Sequence, residues 1–388
     1  MKQYSRVCER VDLDAIFYNF QMMKANIKDG VQMIAVIKTD GYGHGAIPIA
    51  RMFESVDYVW GYATASLDEA VLLRKAGICK PILVLGCVFP DQYEDMIRYE
   101  VRPATYTEEM AIEISKQAVK LNKTAYLHIK IDTGMGRIGF KVDKESVETI
   151  SRISKLPNIK MEGMFTHFAK ADEFDKSYTF AQHEKFLWMK EQLETNGVQI
   201  SYYDCDNSAG IIDFPDMKHD LARAGISIYG MYPSDEVKKD AVDLKPALEL
   251  ISHISFVKDV EKGTSISYGG TFVAPKKMRI ATIPVGYGDG YPRSLSNKGY
   301  VLIHGKRADI VGRVCMDQFM VDVTEIPEAK FMDPVTLIGK DKDAVIRVED
   351  LSDLSGRFNY EFVCDLSKRV PREYYKNGMI VKQVDYFE

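Results

Sequence analysis

The 388-residue sequence lacks the features that direct a chain into a membrane or out of the cell. It has no run of about 18 apolar residues and its N-terminal segment carries charges throughout, so neither a membrane span nor a signal peptide is predicted. The six cysteines are scattered and form no CxxC pair, which argues against a disulfide framework and against a zinc site. These absences predict a soluble, cytoplasmic protein that holds no metal.

A strong excess of either charge is also absent. The formal net charge is −5, which provides no basic surface for nucleic acid or for an anionic membrane. The sequence contains no internal repeat, low-complexity tract or flexible linker. A chain of this length is expected to form two closely packed domains, with neither nucleic acid nor a membrane as a partner.

Residues 1–237 alternate short apolar runs with longer amphipathic segments. Repeated βα units of this kind imply a parallel sheet. About eight units in roughly 230 residues match the size of a (β/α)8 barrel, which we favour over a doubly wound sheet. The predicted strands are Met33–Lys38, Tyr58–Tyr62, Pro81–Leu85, Arg102–Ala104, Ala125–Ile131, Lys160–Thr166, Tyr202–Cys205 and Asp220–Arg223.

The helical segments between these strands carry recognisable end signals. Ser66 followed by Glu69 is a capping-box pattern, and Asn196-Gly197 is a typical helix end. The predicted helices are Ser66–Lys75, Glu108–Leu121, Lys144–Lys155 and Tyr178–Glu194.

The pattern changes near residue 235, and residues 238–388 are predicted to form a mostly β second domain. Short β-rich runs, punctuated by glycine and proline, replace helical periodicity until Val348–Leu354. The predicted strands are Leu250–Lys258, Arg279–Pro284, Tyr300–Ile303, Ala308–Arg313, Phe319–Val323 and Val335–Ile338.

Lys38 stands at the end of the first predicted barrel strand, in the segment AVIKTDGYGHG. The carboxyl ends of barrel strands are where such folds present catalytic side chains. A lysine held there loses hydration, which lowers its pKa and suits it to form a Schiff base. A lysine that merely extends to solvent fits the same position. Further polar residues follow later strands: Lys130, Arg137, His167, Asn207, Ser208 and Arg223.

Two of the later strand ends favour a phosphate group. Ser208 follows one of them, and Ala224-Gly225-Ile226 combines a glycine that allows close backbone approach with the N–H groups of a helix start. Barrels often bind phosphate in the loops after their last strands. A reactive lysine, a phosphate site and the cationic Arg223 together indicate pyridoxal 5'-phosphate (PLP) as the cofactor.

The segment GMGRIG, residues 134–139, satisfies the pattern GxGxxG. In a dinucleotide site the third glycine should open a helix. Here FKVD follows, and Asp143 is the expected cap of a helix that starts later. We therefore do not predict a dinucleotide site.

An ordered set of motifs carries a specific resemblance. The set consists of AVIKTDGYGHG, LHIKIDTGMGRIGF, FTHFAKADE, DNSAG, RAGISIYGMYP, ISYGGTF, VGYGDGYPR, GRVCMDQ and FNYE. In this order the chain resembles the alanine racemase family over essentially its full length. The resemblance implies a PLP-binding barrel at residues 1–237 and a β domain at 238–388. It also implies a head-to-tail homodimer whose active sites are shared between subunits.

The resemblance assigns roles around the cofactor. Lys38 is expected to form the Schiff base with PLP, and Arg223 to donate a hydrogen bond to the pyridine nitrogen. The phosphate is expected to be held by Tyr42, Ser208, Gly225, Ile226 and Tyr360.

The resemblance also assigns a second base, since racemisation needs one on each face of the substrate Cα. Tyr268 matches this base and is expected to enter from the partner subunit, with His167 linking it to Arg223. Arg137 should bind the cofactor phenolic oxygen or the substrate carboxylate, beside a carbamylated Lys130. The remaining substrate contacts are expected from Tyr287, Cys315, Met316 and Asp317.

The implied reaction is the interconversion of L-alanine and D-alanine, which supplies D-alanine for peptidoglycan. A racemase for serine or another amino acid on the same scaffold remains the alternative. A decarboxylase of the same barrel type would place a carboxylate at the position of Arg223, and a non-catalytic PLP-binding barrel would lack the whole β domain.

Overall fold

The structure is a computed structural model that describes residues 2–217 and 219–388. Its chain divides into two compact units. The barrel unit contains Ile16–Gly41 and Ala46–Lys245. The β unit contains the N-terminal residues up to Ala15, the short segment Tyr42–Gly45 and Pro246–Glu388. The first strand, β1 (Val7–Asp12), therefore belongs to the β unit.

A closed barrel of eight parallel strands forms the centre of the barrel unit, which confirms the predicted fold class. Each strand pairs with the next, and the last pairs with the first, with Gln32 opposite Leu221. The strands are β2 (Gln32–Val36), β3 (Val59–Thr64), β4 (Ile82–Val84), β5 (Val101–Thr105), β6 (Ala125–Lys130), β7 (Ile159–Phe165), β8 (Tyr202–Asp204) and β9 (Leu221–Ala224). All eight predicted barrel strands are found, within about two residues at either end.

Helices connect the barrel strands. Ser66 caps one of them: its side chain accepts from the N–H of Glu69, and the capping box is complete. The α-helices are Leu13–Ala25, Ala46–Phe53, Leu67–Lys75, Tyr93–Arg98, Glu108–Leu121, Lys144–Ile153, Ser177–Thr195 and Ser208–Asp213, and Pro90–Gln92 and Ile226–Tyr229 are 3-10 turns. The four predicted helices are among them.

The β unit is built on an eight-stranded sheet in which β1 lies between two strands from the second half of the chain. Its strand order is β16-β15-β18-β10-β1-β20-β21, with β19 paired to β18. The strands are β10 (Leu248–His253), β11 (Phe256–Val260), β12 (Ser265–Ile266), β13 (Phe272–Val273), β14 (Met278–Ile283), β15 (Tyr300–Ile303), β16 (Lys306–Asp309), β17 (Phe319–Asp322), β18 (Pro334–Asp341), β19 (Ala344–Ile346), β20 (Arg372–Lys376) and β21 (Met379–Val384).

Smaller elements complete the β unit. β11, β14 and β17 form a three-stranded sheet, and β12 pairs with β13 as a hairpin. The α-helices are Val348–Ser355 and Asn359–Cys364, and 3-10 turns lie at Tyr268–Gly270, Tyr287–Asp289 and Arg293–Leu295.

Two predicted strands of the second domain differ from the structure. The run Leu250–Lys258 is broken into β10 and β11, because the N–H of Ile254 donates to Asp333 while that of Ser255 donates to Thr282, so the chain passes from one sheet to another. The predicted strand Ala308–Arg313 has the wrong limits: the observed strand starts two residues earlier and ends at Asp309. The observed strand is β16, and the left-handed Gly312 (φ 81°) lies in the loop beyond it.

Within residues 2–217 and 219–388, no helix combines the length and the apolar character needed to cross a membrane.

Candidate active site

The chain turns left-handed immediately after Lys38. Thr39, Asp40 and Gly41 have φ of 53°, 48° and 65° with ψ near 50°. Such a run is unfavourable for residues that carry a Cβ, so it requires compensating bonds. One of them comes from the Asp40 side chain, whose Oδ1 accepts from the N–H of Ala46 at 2.9 Å.

Glu69 provides the second bond and links this turn to a neighbouring helix. Its Oε1 accepts from the N–H of Thr39 at 2.6 Å, and its Oε2 accepts from the N–H of Ala65 at 2.7 Å. The sequence identified Glu69 only as part of a capping box. In the structure it also bonds the backbone of Thr39, the residue after Lys38.

Arg223 lies one residue before the end of β9 and is buried, with 3% of its surface exposed. Its Nε donates to Asp204 Oδ2 at 2.5 Å, and its Nη2 donates to the carbonyls of Thr166 at 2.7 Å and Cys205 at 3.0 Å. Its Nη1 lies 3.0 Å from His167 Nδ1. The guanidinium is therefore fixed in the mouth of the barrel.

The contact with Arg223 decides the tautomer of His167. A guanidinium only donates hydrogen bonds, so Nδ1 of His167 is the acceptor and the ring proton lies on Nε2. Desolvation lowers the pKa of His167 well below its usual value. Positive charge lowers it further, in descending order from Arg223, Arg137, Lys130 and Lys38. His167 is consequently neutral at physiological pH.

Lys130 is buried at the end of β6. Its Nζ donates to the carbonyl of Ile131 at 2.7 Å. Burial, with the nearby charge of Arg223, lowers the pKa of Lys130 from 10.5 to about 8. A lysine of this kind has a reactive neutral amine close to neutral pH.

Two buried carboxyl groups lie on or next to β8. Burial raises the pKa of Asp204 to about 6, against the opposing effect of Arg223, so Asp204 remains mostly ionised at neutral pH. Burial and the charge of Asp204 raise the pKa of Asp206 to about 8, which keeps Asp206 mostly neutral. Asp204 is thus the anionic partner of Arg223.

Ser208 and Gly225 lie close together at the predicted phosphate site. Ser208 Oγ accepts from the N–H of Gly225 at 2.9 Å. The helix at this point is capped by Asn207, whose side chain accepts from the Gly210 N–H, and not by Ser208. Its hydroxyl hydrogen can therefore donate to a bound group, beside the start of the turn Ile226–Tyr229.

Arg137 is exposed in the glycine-rich loop 134–139. This loop leads into no helix, because the next one starts at Lys144 behind Asp143, whose Oδ1 accepts from Ser146 N–H at 2.8 Å. The GxGxxG segment therefore lacks the helix of a dinucleotide site, as predicted.

Within the β unit, two predicted phosphate ligands lie close together. The rings of Tyr42 and Tyr360 are 6.0 Å apart, and Phe358 stacks on Tyr360 at 4.6 Å. Tyr42 is buried, whereas Phe358 is half exposed.

The predicted substrate residues of the β unit lie on adjoining turns. Tyr268 and Met316 are 70% and 53% exposed. Tyr287 donates its N–H to the carbonyl of Cys315 at 3.1 Å. Asp317 pairs with Arg369 at 2.8 Å. These turns present a largely exposed set of side chains.

Sequence reasoning missed three residues that shape these sites. Asp204 stands at the end of a predicted barrel strand, a signal that could have identified it. Glu69 was identified as a cap but not as a partner of Thr39. Ser267, which adopts a left-handed φ of 64°, gave no sequence signal beyond the glycines that follow Tyr268.

Comparison with known proteins agrees with this architecture. The family model described as "Alanine racemase, N-terminal domain" matches residues 11–233, and "Alanine racemase, C-terminal domain" matches residues 247–374. The alanine racemase of Clostridium tetani is 47% identical over 381 residues, which is 98% of each chain.

Solved structures show the same likeness. The alanine racemase of Clostridium difficile 630 is 39% identical and superposes with a TM-score of 0.95 over the whole of both chains. The alanine racemase of Bacillus anthracis with bound L-Ala-P is 36% identical, with a TM-score of 0.93 over 100% of this chain and 99% of that one. The resemblance in the sequence motifs is confirmed: the chain belongs to the alanine racemase family of enzymes.

Proposed function

We propose that this enzyme interconverts L-alanine and D-alanine with PLP, in a homodimer whose active sites combine residues of both subunits. The observation that carries the proposal is the fixed Arg223 at the mouth of the barrel. An arginine has five N–H donors. Four of those of Arg223 point to Asp204, His167, Thr166 and Cys205.

The fifth N–H, on Nη1, has no acceptor among the described residues. A pyridine nitrogen that carries no proton is an acceptor of the right kind, and an arginine cannot transfer its own proton to it. The donor set at this point therefore fits the ring of PLP.

The surrounding charges fit the anionic parts of the same cofactor. Lys38, Lys130, Arg137 and Arg223 all act on His167 as positive charges, so an anionic group would be stabilised beside them. The Ser208 hydroxyl and the backbone at Gly225 and Ile226 would bind the phosphate, together with Tyr42 and Tyr360.

PLP, when bound, supplies an electron-withdrawing ring that makes the Cα hydrogen of an attached amino acid acidic. Lys38 would hold the cofactor, and its Nζ would remove or return the proton on one face of Cα. Tyr268 of the partner subunit would do the same on the other face. The 70% exposure of Tyr268 supports this role, because its ring is accessible to a second chain.

His167 would assist Tyr268. Because its proton lies on Nε2, the neutral imidazole can donate a hydrogen bond to a deprotonated tyrosine oxygen and lower the pKa of that hydroxyl. A tyrosine otherwise ionises near pH 10 and is a weak base at neutral pH.

Arg137 and the backbone N–H of Met316 would bind the substrate carboxylate, with Tyr287, Cys315 and Asp317 around them. Alanine is favoured as the substrate because the relatives described above are alanine racemases. Serine or another amino acid remains the alternative. We further propose that the reaction takes place in the cytoplasm and supplies D-alanine for peptidoglycan. We keep 1–237 and 238–388 as the proposed domain limits.

Replacing Tyr268 with phenylalanine is expected to lower racemisation by about 10²- to 10⁴-fold, because one of the two bases is removed. Cofactor binding should persist, because Lys38, which is proposed to hold PLP, is unchanged. The absorbance of the bound PLP measures this. Tyr18→Phe is the matched control. It removes a hydroxyl that bonds Asp243 on the outside of the barrel unit, and it should leave the rate unchanged.

Mixing two inactive variants tests whether the sites are shared. In a hybrid of Lys38→Ala and Tyr268→Phe chains, one of the two sites receives both wild-type residues. Random pairing should therefore restore about a quarter of the wild-type activity. Full activity in Tyr268→Phe, or no recovery after subunit exchange, would contradict the proposal.

Lys130 is proposed to react with carbon dioxide. The neutral amine and CO2 give a carbamate and one proton, and the new anion would face the cationic Arg137. With a pKa of about 8, the amine becomes neutral as the pH rises through 8, well before an ordinary lysine. We expect a ¹³C carbamate signal with ¹³CO2 that appears through this pH range.

The signal should be absent in Lys130→Met and present in Lys160→Arg, a variant at an exposed position on the same barrel. An identical spectrum for wild type and Lys130→Met would show that no carbamate forms at this lysine.

A further inference from the structure

Ser267, the residue before Tyr268, has a backbone conformation that only glycine adopts readily. Its φ is 64° and its ψ is −177°, a region that is strained for any residue with a Cβ. A glycine here would relieve this strain. Strain of this kind persists only where the surroundings hold it in place, and it concentrates at functional sites.

The side chain of Ser267 makes the contacts that hold this conformation. Its Oγ donates to the carbonyl of Arg313 at 2.7 Å and lies 3.4 Å from Cys315 Sγ. The Cys315 thiol lies 3.6 Å from the same carbonyl, so the Ser267 hydroxyl, the thiol and the Arg313 carbonyl form one small cluster. Opposite lies Gly312, where any side chain would collide with Ser267 Cβ and the Ile266 carbonyl. The two segments are therefore built to approach closely.

The segment that Ser267 contacts leads directly to Met316. The Met316 carbonyl accepts from the N–H of Gly288 at 2.8 Å, which fixes this part of the chain. A single hydroxyl thus connects the turn that carries Tyr268 to the segment that carries Met316.

The turn needs such an anchor. It connects β12 and β13, strands of only two residues each, and a hairpin of this size is unstable alone. Ile266 packs into an apolar cluster and holds the base of the hairpin. The ring of Tyr268 is mostly exposed, so the position of its hydroxyl depends on the backbone beneath it.

We infer that Ser267 is a positioning residue, which sets the Tyr268 hydroxyl relative to the Met316 backbone. The inference rests on the proposed function, in which Tyr268 is one of the two bases and Met316 binds the substrate carboxylate. Glycine would be unstrained at this position, yet serine is present. The hydroxyl of Ser267 is what the site requires.

Ser267→Gly and Ser267→Ala separate this role from a structural one. Glycine relieves the strain and removes the hydroxyl, whereas alanine keeps the strain and removes the hydroxyl. Both should lower kcat/KM by about 10- to 100-fold, because a displacement near 1 Å is enough for such a loss. The thermal unfolding midpoint of Ser267→Gly should equal or exceed that of wild type. Ser265→Ala, on the same hairpin, is the matched control.

Two further measurements report position directly. With Cα-deuterated alanine, the primary isotope effect should rise for the one enantiomer whose Cα hydrogen Tyr268 removes, and not for the other. In the cofactor-free protein, amide hydrogen exchange over residues 266–270 should be faster in both Ser267 variants and unchanged in Ser265→Ala.

The outcomes are distinguishable. Full activity in Tyr268→Phe would overturn the proposed function, and the inference with it. An inactive Tyr268→Phe beside a Ser267→Gly with wild-type kcat/KM, isotope effects and exchange would overturn the inference alone. A loss of activity in Ser267→Ala that only follows its unfolding midpoint, with Ser267→Gly unaffected, would also overturn it.

Discussion

Replacing Lys38 with arginine is expected to lower racemisation by roughly 10⁴- to 10⁶-fold, the scale seen when a residue that forms a covalent bond is removed. Arginine keeps the positive charge beside His167, but it stays protonated and forms no Schiff base. The proposed phosphate-binding groups at Ser208 and Gly225 are left in place. The variant should therefore still bind PLP, but without a covalent link.

Borohydride reduction followed by peptide mass spectrometry measures the link directly. Wild type should carry the reduced cofactor on Lys38, and Lys38→Arg should carry none. Lys160→Arg makes the same change at an exposed barrel position and should behave as wild type. A reduced adduct on another lysine, with activity retained in Lys38→Arg, would contradict the account.

Replacing Arg223 with methionine is expected to lower the free energy of unfolding of the cofactor-free protein by roughly 3–5 kcal/mol, because it leaves the Asp204 carboxylate buried without its partner. The side chains of this ion pair are only 3% and 4% exposed. The double variant with Asp204→Asn should recover part of the loss, which a urea unfolding series of the four proteins would measure.

The pH dependence of this loss has a definite sign. The pKa of Asp204 is raised in the folded protein to about 6 by burial, so the folded state binds the proton more tightly than the unfolded state does. The penalty of the buried charge is thus full above pH 6 and is relieved as the pH falls toward 4. Arg223 opposes this rise, so its removal raises the pKa of Asp204 further. The difference between wild type and Arg223→Met should therefore shrink as the pH falls from the higher pKa of the variant to about 6, and should change little below that.

Arg102→Met is the control that separates a loss of stability from a loss of the site, because it breaks a different, largely buried ion pair in the barrel. Arg102 pairs with Glu162 at 2.9 Å in the same barrel, with side chains 13% and 10% exposed. It should lose less stability and keep its racemase activity at a temperature where it is folded. An Arg223→Met protein as stable as wild type, or one not improved by Asp204→Asn, would show that the ion pair does not hold the site.

Much of the barrel could be predicted because its signals are local. Each barrel strand contains a short apolar run, several of these runs lead to a polar residue, and the capping pattern at Ser66 depends on residues three positions apart. For the same reason Lys38, His167 and Arg223 could be singled out by residue type and by their place at strand ends.

The rest depends on contacts between distant residues. The pairing of β1 with β20 joins residues more than 360 positions apart, which no local pattern indicates. The helix Asn359–Cys364 is too short to show a period. The bond from Glu69 to Thr39 and the strained Ser267 arise only when separate segments meet, so residue type and spacing did not reveal them.

The most direct test of the central claim is the incorporation of deuterium at Cα in D2O. The purified protein with PLP would be given L-alanine, L-serine and L-lysine in separate reactions, and both the exchange and the chirality of the product would be measured. The account predicts exchange with inversion for alanine, far faster than for the other two. Fastest inversion of serine would move the assignment to another racemase on the same scaffold. Release of carbon dioxide without inversion, or no exchange at all, would contradict the assigned reaction.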